Sequence, residues 1–104
     1  MFEEEDPLSA FRAAGDVVAG AAESVAFGAP CFKLNGKVFC WLYKGEIVCK
    51  LDPEGVAEAL TCEGARLFDP SGKGRPMKAW VQIPIEYADE WADWAQRAAF
   101  SLSG

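Results

Sequence analysis

Four cysteines, Cys31, Cys40, Cys49 and Cys62, carry the most versatile chemistry in this sequence. Thiols ligate zinc, attack electrophiles or close disulfides. No two of these form a Cys-x-x-Cys pair and the chain has no histidine, so the common zinc-finger spacings are absent. A cysteine or serine nucleophile needs a base beside it, most often histidine, and none exists. Four thiols on apolar strands of a reducing compartment read first as core filling. Paired carboxylates occur at Asp89, Glu90 and Asp93. They fall on the acidic side of a helix, a pattern that solvation alone explains. No constellation for catalysis, and no motif for a cofactor or metal, emerges from these residues.

Cations offer a second chemistry. Ser71-Gly72-Lys73-Gly74-Arg75 sets two positive side chains among glycines, whose exposed amides favour phosphate. It lacks the Gly-x-x-x-x-Gly-Lys-Ser/Thr spacing and joins two strands instead of opening a helix, so it reads as a solvated hairpin loop. The charge is unevenly placed. Residues 28 to 78 hold eight Lys/Arg against six Asp/Glu, whereas the rest hold two against ten, within a net charge of −6. Lys33, Lys37, Lys50, Lys73, Arg75 and Lys78 are thus the candidate phosphate or nucleic-acid contacts, set on hairpins. The acidic total argues against a generic nucleic-acid binder.

The elements that position these residues follow from periodicity and punctuation. Asp6-Pro7 starts a helix, and Leu8, Phe11, Ala14, Val18, Ala21 and Val25 recur at helical spacing. Gly15 and Gly20 weaken that helix by about 1 kcal/mol each relative to alanine. Strands follow at Cys31 to Leu34, Lys37 to Leu42 and Glu46 to Leu51, punctuated by Asn35-Gly36 and Tyr43-Lys44-Gly45. Asp52-Pro53 opens a short helix to about Leu60. Ala65 to Phe68 and Met77 to Ile83 are two further strands. A last helix from Ile85 to about Phe100 sets Tyr87, Trp91, Trp94, Ala95 and Ala98 on its buried side. Trp80, on a strand ended by Pro84, is assigned to the core. The expected fold is α+β: an antiparallel sheet of about five strands, a three-strand meander plus a two-strand hairpin, with helices packed mainly on one face.

Register can be argued further. If both meander turns are two-residue loops, Lys37 and Tyr43 must turn their backbones to opposite neighbours, yet they lie an even number of residues apart. Either a bulge intervenes or the second loop has three residues. The three-residue loop is adopted, because it gathers Phe32, Leu34, Phe39, Trp41, Ile47, Cys49 and Leu51 on one face. It leaves Cys31, Lys33, Val38, Cys40, Leu42, Val48 and Lys50 on a mixed second face. Counting back from Asn35-Gly36, Cys31 then faces Cys40, and these two form the candidate redox pair.

The 104 residues, 51% of them apolar, suit one domain, 1–104, with residues 1–6 as a disordered acidic tail. The longest uncharged stretch, Ser24 to Phe32, is too short to span a bilayer, and Met-Phe-Glu-Glu-Glu-Asp is the reverse of a signal peptide's basic start. A cytoplasmic location without membrane attachment is expected.

Phe27-Gly28-Ala29-Pro30-Cys31-Phe32-Lys33-Leu34-Asn35-Gly36-Lys37-Val38-Phe39 resembles the Phe-Gly-x-Pro … Gly-Lys-x-Phe pattern of small MmcQ/YjbR-like and TfoX N-terminal-like proteins. Leu67-Phe68-Asp69-Pro70 through Gly74-Arg75-Pro76-Met77-Lys78-Ala79-Trp80-Val81 is similar to the same group. The resemblance implies a compact α+β domain with helices on an antiparallel sheet. Some members are labelled DNA-binding, TfoX relatives are linked to regulation of competence, and no catalytic residues carry over. Since fold alone does not give function, the expectation is a non-enzymatic binding or regulatory module. Its partner is expected to be a protein, itself or another, docked on the second sheet face; a DNA-binding module is the alternative.

Overall fold

The computed structural model describes residues 6–26, 28–69, 74 and 77–103. Helix α1, Pro7–Asp16, leads into strand β1, Ala22–Ala26, and a meander of β2, Ala29–Leu34, β3, Lys37–Tyr43, and β4, Glu46–Lys50. Helix α2, Pro53–Ala59, precedes β5, Arg66–Phe68, and β6, Met77–Ile83. A 3₁₀ segment, Ile85–Glu90, then runs into helix α3, Trp91–Ser103. The six strands form one antiparallel sheet in the order β1-β2-β3-β4-β6-β5. This is the α+β fold expected, with one strand more.

The extra strand comes from the segment read as the second half of the first helix. Its apolar spacing continues past Asp16, but α1 ends there, and Gly20 takes φ +83°, a left-handed turn just before β1. Ala22–Ala26 pairs with β2 instead, Ala22 facing Lys33 and Ala26 facing Ala29. Asp6 belongs to the fold and not to a tail. Its carbonyl accepts from Ala10 N at 2.9 Å and its carboxylate from Ser9 Oγ at 2.9 Å. The rest of the proposed tail, residues 1–5, lies outside the described residues. At α2 the Asp52 carboxylate caps the helix as expected, accepting from Gly55 N at 2.8 Å. The last helix is divided. Tyr87 leaves helical geometry (φ −104°, ψ 23°), so a 3₁₀ turn follows Pro84 before α3 begins.

The helices lie over one sheet face. Phe11 and Ala14 of α1 and Trp91, Ala95 and Ala98 of α3 are buried with Phe32, Phe39, Cys40, Ile47, Cys49, Val81 and Ile83 of the strands. Trp91, Ala95 and Ala98 thus form a buried stripe, and Trp91 Nε1 donates to the Pro84 carbonyl at 3.2 Å. Among the described residues no helix is long and apolar enough to cross a membrane.

The parity conflict in the meander is resolved by the bulge and not by the longer loop. Both turns are two-residue loops whose central residues have positive φ: Asn35 (54°) with Gly36 (79°), and Lys44 (51°) with Gly45 (79°). Lys33 faces Val38, yet Phe32 faces Cys40, which leaves Phe39 as the extra residue on β3. Phe39 and Cys40 therefore both enter the helix-side core, and the alternation beyond them is inverted. Trp41, expected on the helix face, moves to the second face; Cys40 and Leu42 move the other way.

Candidate binding surface

The second sheet face is where the candidate residues meet. Cys31 and Lys33 of β2, Val38, Trp41 and Tyr43 of β3, Glu46, Val48 and Lys50 of β4, Trp80 and Gln82 of β6 and Phe68 of β5 share this face by register. Much of it is already covered. Cys31 and Val48 are fully buried, and Trp41 and Phe68 nearly so.

The cover comes from the chain itself. Leu67 faces Val81, but the next residue, Phe68, faces Met77, so the ladder slips sharply between them. Two strands, β6 and β4, separate Phe68 from β3. Its ring nevertheless reaches the Trp41 ring at 5.9 Å and the Tyr43 ring at 5.0 Å, whereas three strand spacings would be about 14 Å. Phe68 at the end of β5 thus lies over the face, packed in one cluster with Val48. Trp80 adds a tilted stack on Trp41 at 4.7 Å. It is half-buried in this second cluster and is no part of the main core.

Polar contacts fix one end of the face. Glu46 Oε1 accepts from Gln82 Nε2 at 2.7 Å and from Arg66 Nη2 at 2.8 Å. That satisfies Gln82, the one polar side chain among the described core residues. The cations gather at the other end. Lys33 lies near the end of β2 beside Val38, Lys50 closes β4 opposite Trp80, and Lys78 precedes Trp80 by two residues on β6. Strands β2 and β4 are about 10 Å apart, and β4 adjoins β6. None of the ion pairs among the described residues uses these lysines: Arg12 holds Glu23, Arg66 holds Glu46, and Arg97 holds Asp52 and Glu58.

The six cations expected as a set are divided. Lys33 and Lys50 share the second face, and Lys78 stands at the same end of the sheet, where it also lines the cleft beside α2. Lys37 faces Leu34 at the turn and so projects from the helix side, exposed. Lys73 and Arg75 lie outside the described residues. What the sequence reading missed is Trp80's place among the three lysines. The bulge moves only Cys40, Trp41 and Leu42, whereas Trp80 is placed by the pairing of β6 with β4.

The thiols are separated by the same bulge. Cys31 faces Trp41, not Cys40, so the expected Cys31–Cys40 pair is not formed. Cys40 faces Cys49 across the β3–β4 ladder. Burial pushes the Cys40 and Cys49 thiols far above the ordinary range and raises Cys31 and Cys62 as well. None has the lowered pKa of a reactive thiol. All four are free.

Shallow clefts also lie among the described residues. One of about 370 Å³ lies between α2 and β6, lined by Leu51, Pro53, Val56, Lys78 and Ala79. Another of about 410 Å³ is lined by Glu46, Glu63, Arg66, Glu86 and Tyr87 among others. Among the described residues no three acidic or thiol side chains converge as a metal site.

The comparison with curated proteins gives no match. The family model described as YjbR matches residues 18–99, which takes in β1 to β6, α2 and most of α3. The chain belongs to the YjbR family.

Proposed function

We propose that the chain is a non-enzymatic binding module of the cytoplasm. It contacts nucleic acid at the Lys33, Lys50 and Lys78 end of its second sheet face. One observation carries this reading: Lys33 and Lys50 share one face beside a half-buried tryptophan, Lys78 stands at the same end of the sheet, and none of the three has an ion pair among the described residues. Phosphate attracts such a row, and a tryptophan ring offers a base a surface to stack on. Free thiols at all four cysteines fit a reducing compartment. The apolar docking face expected for a protein partner is largely filled by Phe68, Trp41 and Trp80, which moves the weight from protein to nucleic acid.

Fluorescence anisotropy with labelled single-stranded and duplex oligonucleotides at low salt tests it. Micromolar binding is expected, with log K falling against log salt at a slope of about −3 for three phosphate contacts. Changing Lys33, Lys50 and Lys78 together to Gln removes it, whereas Lys37→Gln, on the other side, leaves it nearly unchanged. Absence of binding at tens of micromolar protein overturns the reading.

A second reading keeps a protein partner, at a different place. Strand β1 is an outer strand of the sheet, and Val25 on it is 68% exposed. A partner strand adding to that edge would pair its backbone there. Glu23, gripped by Arg12 at 3.1 Å, is a charge of the kind that guards sheet edges, and it weighs against this. A monomer by light scattering that captures no partner would remove it.

A further inference from the structure

We infer that Cys40 and Cys49 form an oxidation-closed disulfide site linking the two central strands of the sheet. The register carries the inference. Tyr43 and Glu46 flank the two-residue turn as a hydrogen-bonded pair, and such pairs alternate, so Leu42–Ile47 is non-bonded, Trp41–Val48 bonded and Cys40–Cys49 non-bonded. At a non-bonded site the Cα atoms stand about 4.5 Å apart with side chains close together on one face. A disulfide spans about 4.4–6.8 Å. Both cysteines are wholly buried on the helix side. Cys31, on the neighbouring strand, points to the other face, and Cys62 lies beyond α2.

Closure needs a two-electron oxidant, for which a diazene such as diamide serves. One thiolate adds to a nitrogen of the N=N bond, and the other nitrogen takes up a proton. The second thiolate attacks the bound sulfur; the S–S bond forms, the S–N bond breaks and the hydrazine leaves with a second proton. The cysteines are oxidised and the diazene is reduced. Because burial keeps both thiols protonated, the reaction waits on opening of the strands, and refolding then presents Cys40 to Cys49.

The chain supplies its own control. Cys31 and Cys49 each lie nine positions from Cys40, so an unfolded chain has no preference between the two links. Trypsin places every cysteine on a separate peptide: 13–33, 38–44, 45–50 and 51–66. A Cys62→Ala variant, which removes the half-exposed thiol, is treated with diamide under native conditions, alkylated, digested and mapped by mass. The expected product is 38–44 joined to 45–50 in several-fold excess over 13–33 joined to 38–44. In guanidinium the two links appear in similar yield. Equal yields under native conditions, an excess of the Cys31–Cys40 link, or no internal link at all would overturn the inference.

Discussion

A Cβ atom at Gly15 of α1 would overlap the ring of Phe32 on β2, so the helix rests on the sheet through a glycine. That ring has little room to retreat: it is buried in the core and tilts against Phe11 at 5.1 Å. Gly15→Ala would add about 1 kcal/mol of helix propensity but overpack the core at a cost of about 1–3 kcal/mol. A net loss of stability is expected in urea melts. Phe32→Leu, made in the same chain, should recover part of it; a plain gain from Gly15→Ala would show that the ring yields freely.

The two tryptophans at opposite sides of the sheet should respond differently. Trp91 is fully buried and hydrogen-bonded, whereas Trp80 is half-buried on a satellite cluster. Trp91→Ala should cost about 3–5 kcal/mol, and Trp80→Ala about 1–3 kcal/mol. Paired thermal melts check the order, and a Trp80 variant as damaged as the Trp91 one would place Trp80 in the main core after all.

Alkaline pH should weaken the fold through its thiols. Burial holds the Cys40 and Cys49 thiols protonated well above the ordinary range, while in the unfolded chain they ionise near ~8.5. Above that pH the unfolded chain binds fewer protons than the folded one, so stability falls as pH rises, by up to about 1.4 kcal/mol per pH unit per thiol. Below about pH 8 the contribution is complete. Urea midpoints measured from pH 7 to 10 should drop beyond 8, and Cys49→Ala should make the slope shallower. A slope unchanged by that variant would assign the loss to other groups.

How much of this was legible in the sequence depends on which signals were local. Asn35-Gly36, Asp52-Pro53 and the alternation in β6 act through neighbouring residues, and each placed its element within a residue or two. Ala22–Ala26 failed because its apolar spacing suits a helix, and only pairing with β2 and the left-handed Gly20 turn it into a strand. The bulge at Phe39 was visible as one of two solutions to a parity conflict, but choosing between them needed tertiary packing. Both solutions keep Phe39 in the core and differ in where Trp41 and Cys40 go. The lysine row was half legible. Lys33 and Lys50 shared a face in either register, whereas the fold of β6 beside β4 brought in Lys78 and Trp80.

The second turn offers the last test, since it shares the backbone of the first without its sequence. Lys44 stands at φ 51° where Asn35 stands at φ 54°, each followed by a glycine at φ 79°. The left-handed region costs an L-residue with a long side chain about 1 kcal/mol, and asparagine tolerates it through its short polar side chain. Lys44→Asn would make both turns Asn-Gly, the sequence preferred for this loop. The change gives up a contact of the Lys44 ammonium over the exposed side of Tyr43 at 5.5 Å, a weak one in solvent. A net gain of about 0.5–1 kcal/mol is expected, read as a higher urea midpoint with an unchanged m-value. Asn35→Ala should move stability the other way. If Lys44→Asn instead destabilised the fold, the second loop would have to be the three-residue one that the parity argument also allowed.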